Sequence, residues 1–180
     1  MNELPPKRYD LAVIGGGSGG YAAARTAVEE GLTTVVIDGA EELGGLCILR
    51  GCMPSKTLIE SANRNLTIRR ANEFGLSAND TSVDGEAIID RKRRLIAEFA
   101  SYRAGQLEDG RFDLVRGFAR FTDPNTVEVS PIDGSAAQTI TARSFIAATG
   151  STIFVPPIEG LEQTGYVTSD DILDTPSLPD

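Results

Sequence analysis

The run Gly15-Gly16-Gly17-Ser18-Gly19-Gly20 restricts the possible folds of this chain more than any other stretch. It satisfies Gly-x-Gly-x-x-Gly through Gly15, Gly17 and Gly20, and its neighbours give the pattern meaning. Leu11-Ala12-Val13-Ile14 precedes it directly, a short apolar run of the kind that forms a strand buried on both faces. Tyr21 to Glu30 follows, where Ala22, Ala23, Ala24 and Ala27 favour a helix packed closely on a sheet, and Gly31 stops it. A second apolar run, Thr33 to Ile37, ends in Asp38. Strand, glycine turn, helix, strand and acid, in that order, predict a dinucleotide site. Glycine lets the backbone approach a pyrophosphate, and the helix start offers unpaired N–H groups, including those of Ser18 and Gly19. Asp38 can accept hydrogen bonds from a ribose. The expected fold class is α/β: a Rossmann-like domain with a central parallel sheet. The pattern alone does not separate NAD from FAD.

Further along, a helix is expected over Thr57 to Asn72, carrying Leu58, Ile59, Ala62 and Leu66, then a loop over Phe74 to Thr81. A second helix is expected over Gly85 to Leu107, with Ile88, Leu95, Ile96 and Phe99 as its apolar face. Its block Arg91-Lys92-Arg93-Arg94 reads as a solvated helix face. Residues Asp113 to Thr141 turn β-like. Strands Leu114–Phe121, Thr126–Val129 and Thr139–Thr141 are separated by the turn signals Asp123-Pro124-Asn125 and Asp133-Gly134. They predict a small antiparallel meander appended to the parallel sheet. Ser144 to Ala148 reads as a third buried strand leading into Thr149-Gly150.

The balance of charge narrows the function. A net charge of −9 over 180 residues argues against nucleic acid as a partner. No apolar stretch approaches the roughly 20 residues of a membrane span. MNELPPKRYD has neither the basic start nor the apolar core of a secretion signal, so no membrane and a cytoplasmic location are expected. Histidine is absent, which removes Cys–His pairs and Ser–His triads, and two cysteines alone make a poor zinc site. No metal is expected.

Those two cysteines, Cys47 and Cys52, stand in Gly44 to Lys56, GGLCILRGCMPSK. In a regular helix, positions five apart are separated by roughly 7.5 Å of rise and point about 140° apart. A disulfide needs Cα atoms roughly 4.4–6.8 Å apart, so an undistorted helix through both could not bridge them. Gly44, Gly45 and Gly51 supply backbone freedom for a distortion, and Pro54 suits the first turn of a helix starting just after Cys52. The field of a helix N-terminus favours thiolate there. The segment reads as a reducible dithiol at the lip of a helix.

GGLCILRGCMPSK resembles the GG-T-C-x4-C-x-P-S-K redox signature of the flavin-dependent pyridine nucleotide-disulfide reductases, with Leu46 where the family usually has threonine and a hydroxyl contact is therefore lost. Val115 to Phe121 and Ala148-Thr149-Gly150 also resemble segments of that family. The resemblance implies FAD at the first glycine pattern, with Gly15, Gly17, Ser18, Gly19, Gly20, Asp38, Gly45, Leu46, Lys56, Ala119, Thr149 and Gly150 as cofactor contacts. It implies Cys47 as the thiol that exchanges with substrate, Cys52 as the thiolate against the flavin, and Lys56 as a cation near flavin N5. NAD(P)H would be held by a second dinucleotide domain, and a histidine from the partner subunit of a homodimer would act as acid–base catalyst. Residues 1–150 are then the FAD-binding domain and 151–180 a connecting segment. The expected molecule is the opening portion of a longer enzyme and is not self-sufficient. Its substrate would be a small dithiol or disulfide, dihydrolipoamide first, with glutathione-type disulfides and mercuric ion open. A non-catalytic FAD-binding module and a flavin-free dithiol switch are the competing readings.

Overall fold

The computed structural model describes residues 8–175. Most of the amino-terminal stretch read above and the closing Leu178-Pro179-Asp180 lie outside the described residues. The elements in chain order are β1 (Arg8–Ile14), α1 (Ser18–Glu29), β2 (Thr34–Ile37), α2 (Leu46–Leu49), α3 (Cys52–Arg69), α4 (Gly85–Glu108), β3 (Asp113–Val115), β4 (Gly117–Asp123), β5 (Thr126–Pro131), β6 (Gln138–Ala147) and α5 (Ser169–Ile172). They fall into two compact units. One comprises the residues up to Leu46 with Ala100–Ser151, the other Cys47–Phe99 with the residues from Thr152 on.

The first unit is an α/β, Rossmann-like layer built on one sheet of order β3-β2-β1-β6-β5-β4. Strands β3, β2, β1 and β6 run parallel, and β6-β5-β4 run antiparallel. The two-residue period of the strands divides the apolar side chains between two cores. Leu11, Val13 and Val36 pack with Tyr21, Ala24 and Ala27 of α1 and with Leu107 and Phe112. Ala12, Val35 and Ile37 point the other way, onto Val127, Val129, Ile140 and Ala142. Burying each such valine, leucine or isoleucine contributes about 1.5–3 kcal/mol, which is what holds a four-residue strand such as β2 in the middle of the sheet. Ala24 and Ala27 of α1 face inward and Ala23 partly so, which lets the helix lie close; Ala22 is exposed.

Two strand boundaries differ from the expected ones. Leu114–Phe121 is not one strand: it breaks at Arg116, so that β3 extends the parallel edge and β4 begins the antiparallel one. The break falls where the chain changes partner: Asp38 N–H donates to Val115 O (2.9 Å) and Gly117 N–H to Asp38 O (3.0 Å), ending the pairing with β2, and from Gly117 the chain pairs with β5. In the opposite sense, Thr139–Thr141 and the expected strand from Ser144 join in the single ten-residue strand β6, which ends at Ala147, one residue short of the expected Ala148. That strand pairs with β5 through Gln138 to Thr141 and with β1 through Thr141 to Ala147. Its second half is not buried, since Ser144, Ile146 and Ala147 are exposed; α1 packs chiefly on β1 and β2.

In the second unit, α3 buries only Pro54, and Ile59, Ala62 and Leu66 are exposed. On the part of α4 that belongs to this unit the buried positions are Ile89 and Lys92; Ala100 and Leu107, also buried, belong to the first unit. The expected stripe of Ile88, Leu95, Ile96 and Phe99 lies beside this one, partly buried or, for Phe99, exposed. The basic block is thus not uniformly solvated. Arg91, Arg93 and Arg94 are exposed, but Lys92 is only 3% exposed. Its ammonium donates to Asp174 Oδ1 (2.5 Å) and to Leu173 O (2.7 Å), and Arg93 Nε reaches the same carboxylate oxygen at 3.3 Å. A buried charge is tolerable only when paired and hydrogen-bonded, and this one has both.

The Lys92 hydrogen bond, with a smaller share from Arg93, holds the Asp174 carboxyl below its ordinary value. A depressed carboxyl stabilises the fold above its unfolded pKa, and that contribution is lost as pH falls through the folded value. An NMR titration of Asp174 should therefore have its midpoint below the usual carboxylate value of about 3.9. Lys92→Met should return it toward that value. A midpoint at or above the usual value in the unmodified chain would show that the pair does not form.

No helix among the described residues is long and apolar enough to cross a membrane. None of the described residues form a group of three or more His, Cys, Asp or Glu that could hold a metal ion.

Candidate functional site

The glycine turn begins where β1 ends, and the sheet fixes its position. Gly15 N–H donates to Ile37 O (2.8 Å) and Ala148 N–H to Ile14 O (2.8 Å), so the carboxyl ends of β2, β1 and β6 finish together. Because β1 is flanked by β2 on one side and β6 on the other, the loops diverge here, at the switch point where open α/β sheets bind ligands. Gly15 has φ +103°, and a Cβ there would stand 2.3 Å from Ala148 O. Thr149 follows at once, with Gly150 beyond it at φ +73°. The structure thus brings Gly15–Gly20, Asp38 and Thr149-Gly150 to one edge of the first unit.

Helix α1 starts at Gly17 with no side-chain cap and no acid in its first turn. The first helical bond is Tyr21 N–H to Gly17 O, 2.8 Å. The preceding amides, those of Ser18, Gly19 and Gly20, are the donors that a helix start leaves over for an anion. Gly20 has another duty: a Cβ on it would lie 1.8 Å from Gly15 O and 3.2 Å from Val13 Cγ1. The turn closes onto the helix only because nothing is there.

Asp38 is buried, and both carboxylate oxygens are engaged. Oδ2 accepts from Gly16 N–H at 2.5 Å and Oδ1 from Ala40 N–H at 2.8 Å. Each ionised oxygen keeps a further lone pair, so the acid can order the glycine turn and still accept from ribose hydroxyls. Arg116 supports the same loop by donating from Nη2 to Ala40 O and Glu41 O. The sequence gives no sign of this, since Arg116 stands inside a run that reads as continuous strand. Ala119 lies on the edge strand β4, opposite Val129.

Gly45 has φ +75°, and its Cβ would stand 2.5 Å from Gly17 Cα. Two stretches of backbone, the cofactor-type turn and the start of the redox signature, therefore touch without side chains between them. Leu46, the first residue of α2, is exposed.

The remaining predicted residues belong to the second unit. Cys47 lies on α2 and is half-buried; Cys52 is the first residue of α3 and is exposed. Both are thiols in the structure. The expected distortion is there: the helix stops after Leu49 and restarts at Cys52 across Arg50 and Gly51, with Gly51 at φ −126°, ψ −105°. Pro54 sits in the first turn of α3, where its missing N–H costs no hydrogen bond. Ser55, whose part sequence reasoning did not anticipate, donates from Oγ to Gly51 O (2.9 Å) and Cys52 O (3.1 Å), fastening the restart. Lys56 is four residues after Cys52 and so on the same face of the helix; it is exposed.

Known proteins resemble this chain along nearly its whole length. The chain is 34% identical over 180 residues to a dihydrolipoyl dehydrogenase of Bacillus subtilis (strain 168), an alignment covering 95% of this chain and 37% of that protein. It is 35% identical over 173 residues to a mercuric reductase of Lysinibacillus sphaericus, covering 95% of this chain and 30% of the other. A mitochondrial dihydrolipoyl dehydrogenase of Schizosaccharomyces pombe is 33% identical over 172 residues, with 95% and 34% covered. The chain thus spans about a third of the length of these relatives. The family described as pyridine nucleotide-disulphide oxidoreductase matches residues 9–179. With the glycine turn, its acid and the two cysteines all inside that match, the chain belongs to the pyridine nucleotide-disulphide oxidoreductase family.

Proposed function

We propose that residues 1–150 form an FAD-binding domain whose flavin exchanges electrons with the Cys47 and Cys52 thiols, as one part of a disulfide oxidoreductase. Residues 151–180 then lead toward further domains. The observation that carries the proposal is the uncapped, acid-free start of α1 beside the buried Asp38 carboxylate and the bare Gly17–Gly45 contact. Unpaired amides fit a diphosphate, a carboxylate with spare lone pairs fits a ribose, and the side-chain-free contact leaves room for a cofactor to lie close. Family membership and the redox signature favour FAD over NAD at this position.

When bound, FAD supplies two-electron redox chemistry. The chain's own residues do the rest. Gly15, Gly17, Ser18, Gly19 and Gly20 receive the diphosphate, and Asp38 orients the ribose. Gly45, Leu46, Ala119, Thr149 and Gly150 bound the cofactor, and Lys56 places a cation beside the ring system. Oxidation of Cys47 and Cys52 to a disulfide releases two electrons and two protons, and the short α2–turn–α3 path lets the two residues approach. NAD(P)H as electron partner, a second subunit and a histidine base are proposed for the complete protein. Dihydrolipoyl dehydrogenases and mercuric reductases match about equally well, and the proposed substrate is a small dithiol or disulfide of the dihydrolipoamide kind.

The test is a visible spectrum of the purified chain titrated with FAD, then reduced anaerobically with dihydrolipoamide. Bound flavin that gains a long-wavelength band, lost in Cys52→Ser and kept in Cys47→Ser, is the expected result. Flavin without the band would favour a non-catalytic FAD module. No flavin uptake would leave a dithiol switch.

A further inference from the structure

Within the second unit a short strap is fastened at two points, and one of them lies between the cysteines. The strap is Thr168 to Asp174, containing α5. Its far end is pinned to α4 by buried Lys92, which donates to Leu173 O and the Asp174 carboxylate. Its near end is ordered by a capping box: Asp171 Oδ2 accepts from Thr168 N–H (3.1 Å) and Oγ1 (2.6 Å). The neighbouring acid, Asp170, takes no part in closing that box through its carboxylate. Its Oδ2 lies instead 3.7 Å from Arg50 Nη1, and its side chain is only 28% exposed.

Arg50 is one of the four residues between Cys47 and Cys52, in the turn where α2 stops and α3 has not begun. The turn's other fastening is Ser55 on Gly51 O, which acts on the α3 side. We propose that Arg50, held by Asp170, is a positioning residue for the Cys47–Cys52 pair. The strap that Lys92 pins restrains the inter-cysteine turn and so raises the tendency of the two thiols to bridge. This deepens the dithiol role proposed above and rests on it. The physical reason is that forming a disulfide requires two Cα atoms within a narrow distance. A turn already restrained loses less conformational freedom when the bridge closes. The ion pair joins an exposed arginine, 66% exposed at its side chain, to a partly buried carboxylate, so its effect is that of a surface pair and modest.

The measurement is the thiol–disulfide equilibrium of the chain with oxidised and reduced glutathione, read by thiol labelling and needing no flavin. The protein dithiol and one oxidised glutathione give the protein disulfide and two reduced glutathiones, so electrons and atoms balance. Asp170→Asn should lower the equilibrium constant roughly 1.5- to 5-fold, the span of a surface ion pair, and Asp170→Glu should restore it. Lys92→Met should lower it in the same direction. The double variant Asp170→Asn, Lys92→Met should fall no further than the larger single effect, because both changes release the same strap. An unchanged constant in Asp170→Asn, or effects of the two sites that simply add, would overturn the proposal. The two readings fail separately. A chain that takes no flavin but shows the Asp170 effect keeps the positioning role, and one that gains the long-wavelength band with no Asp170 effect loses only that role.

Discussion

Gly20→Ala is expected to be the most damaging small substitution in the chain, although alanine is the better helix former. Its Cβ would lie 1.8 Å from the carbonyl oxygen of Gly15, a backbone atom that cannot rotate aside. Either α1 must move off the sheet by more than an ångström or the glycine turn must open. Both loosen the core in which Val13, Tyr21 and Ala24 meet. Overpacking of this kind costs about 1–3 kcal/mol and sometimes more, and the donors at the head of α1 would shift with it. Thermal unfolding and FAD titration should both register the change. Gly19→Ala is the control, since nothing stands within 4 Å of its Cβ. It should unfold no earlier than the parent and, by helix propensity, up to about 1 kcal/mol more stably. Equal stability of the two variants would mean that the turn and helix are not packed as described.

The second large effect is expected at Asp38. Asp38→Ala leaves the buried Gly16 N–H without an acceptor and takes one from Ala40. Hydrogen bonds to a charged group contribute about 1.5–3 kcal/mol each, and water can replace part of the loss at Ala40, so a total of roughly 2–4 kcal/mol is expected in denaturant unfolding. Asp38→Asn keeps the shape but turns an NH₂ group toward one of the two backbone donors, so it should recover only part of this. FAD affinity should fall at least tenfold in both variants. An Asp38→Asn chain as stable as the parent would show that the acid does not organise the glycine turn.

The first strand, glycine turn, helix and second strand were legible in order and type, because local periodicity and turn chemistry decide them, although α1 begins at Ser18, three residues before the expected Tyr21. What was not legible depends on partners distant in sequence. The break at Arg116 falls where the chain passes from pairing with β2 to pairing with β5, and no local signal interrupts Leu114 to Phe121. Strand β6 reads as two pieces because Arg143 interrupts its apolar character, while pairing on both sides carries it through. Lys92 looks like its three arginine neighbours until Asp174, 82 residues on, gives it a buried partner. At the candidate site, the residue types came from the motifs, but the double engagement of Asp38 and the contact of Gly45 with Gly17 required the folded backbone.

The central position of β6 also imposes a schedule on synthesis. Asp10 and Arg143, which meet across β1 and β6, are 133 residues apart. At translation rates of roughly 5–20 residues per second, β1 leaves the ribosome on the order of ten seconds before the strand that closes its open side. During that interval the β1–α1–β2 unit presents an unpaired apolar edge, the kind of surface that recruits other chains. A nascent chain arrested before Gln138 would keep that edge indefinitely, so the vulnerable period of this protein's life is its own elongation.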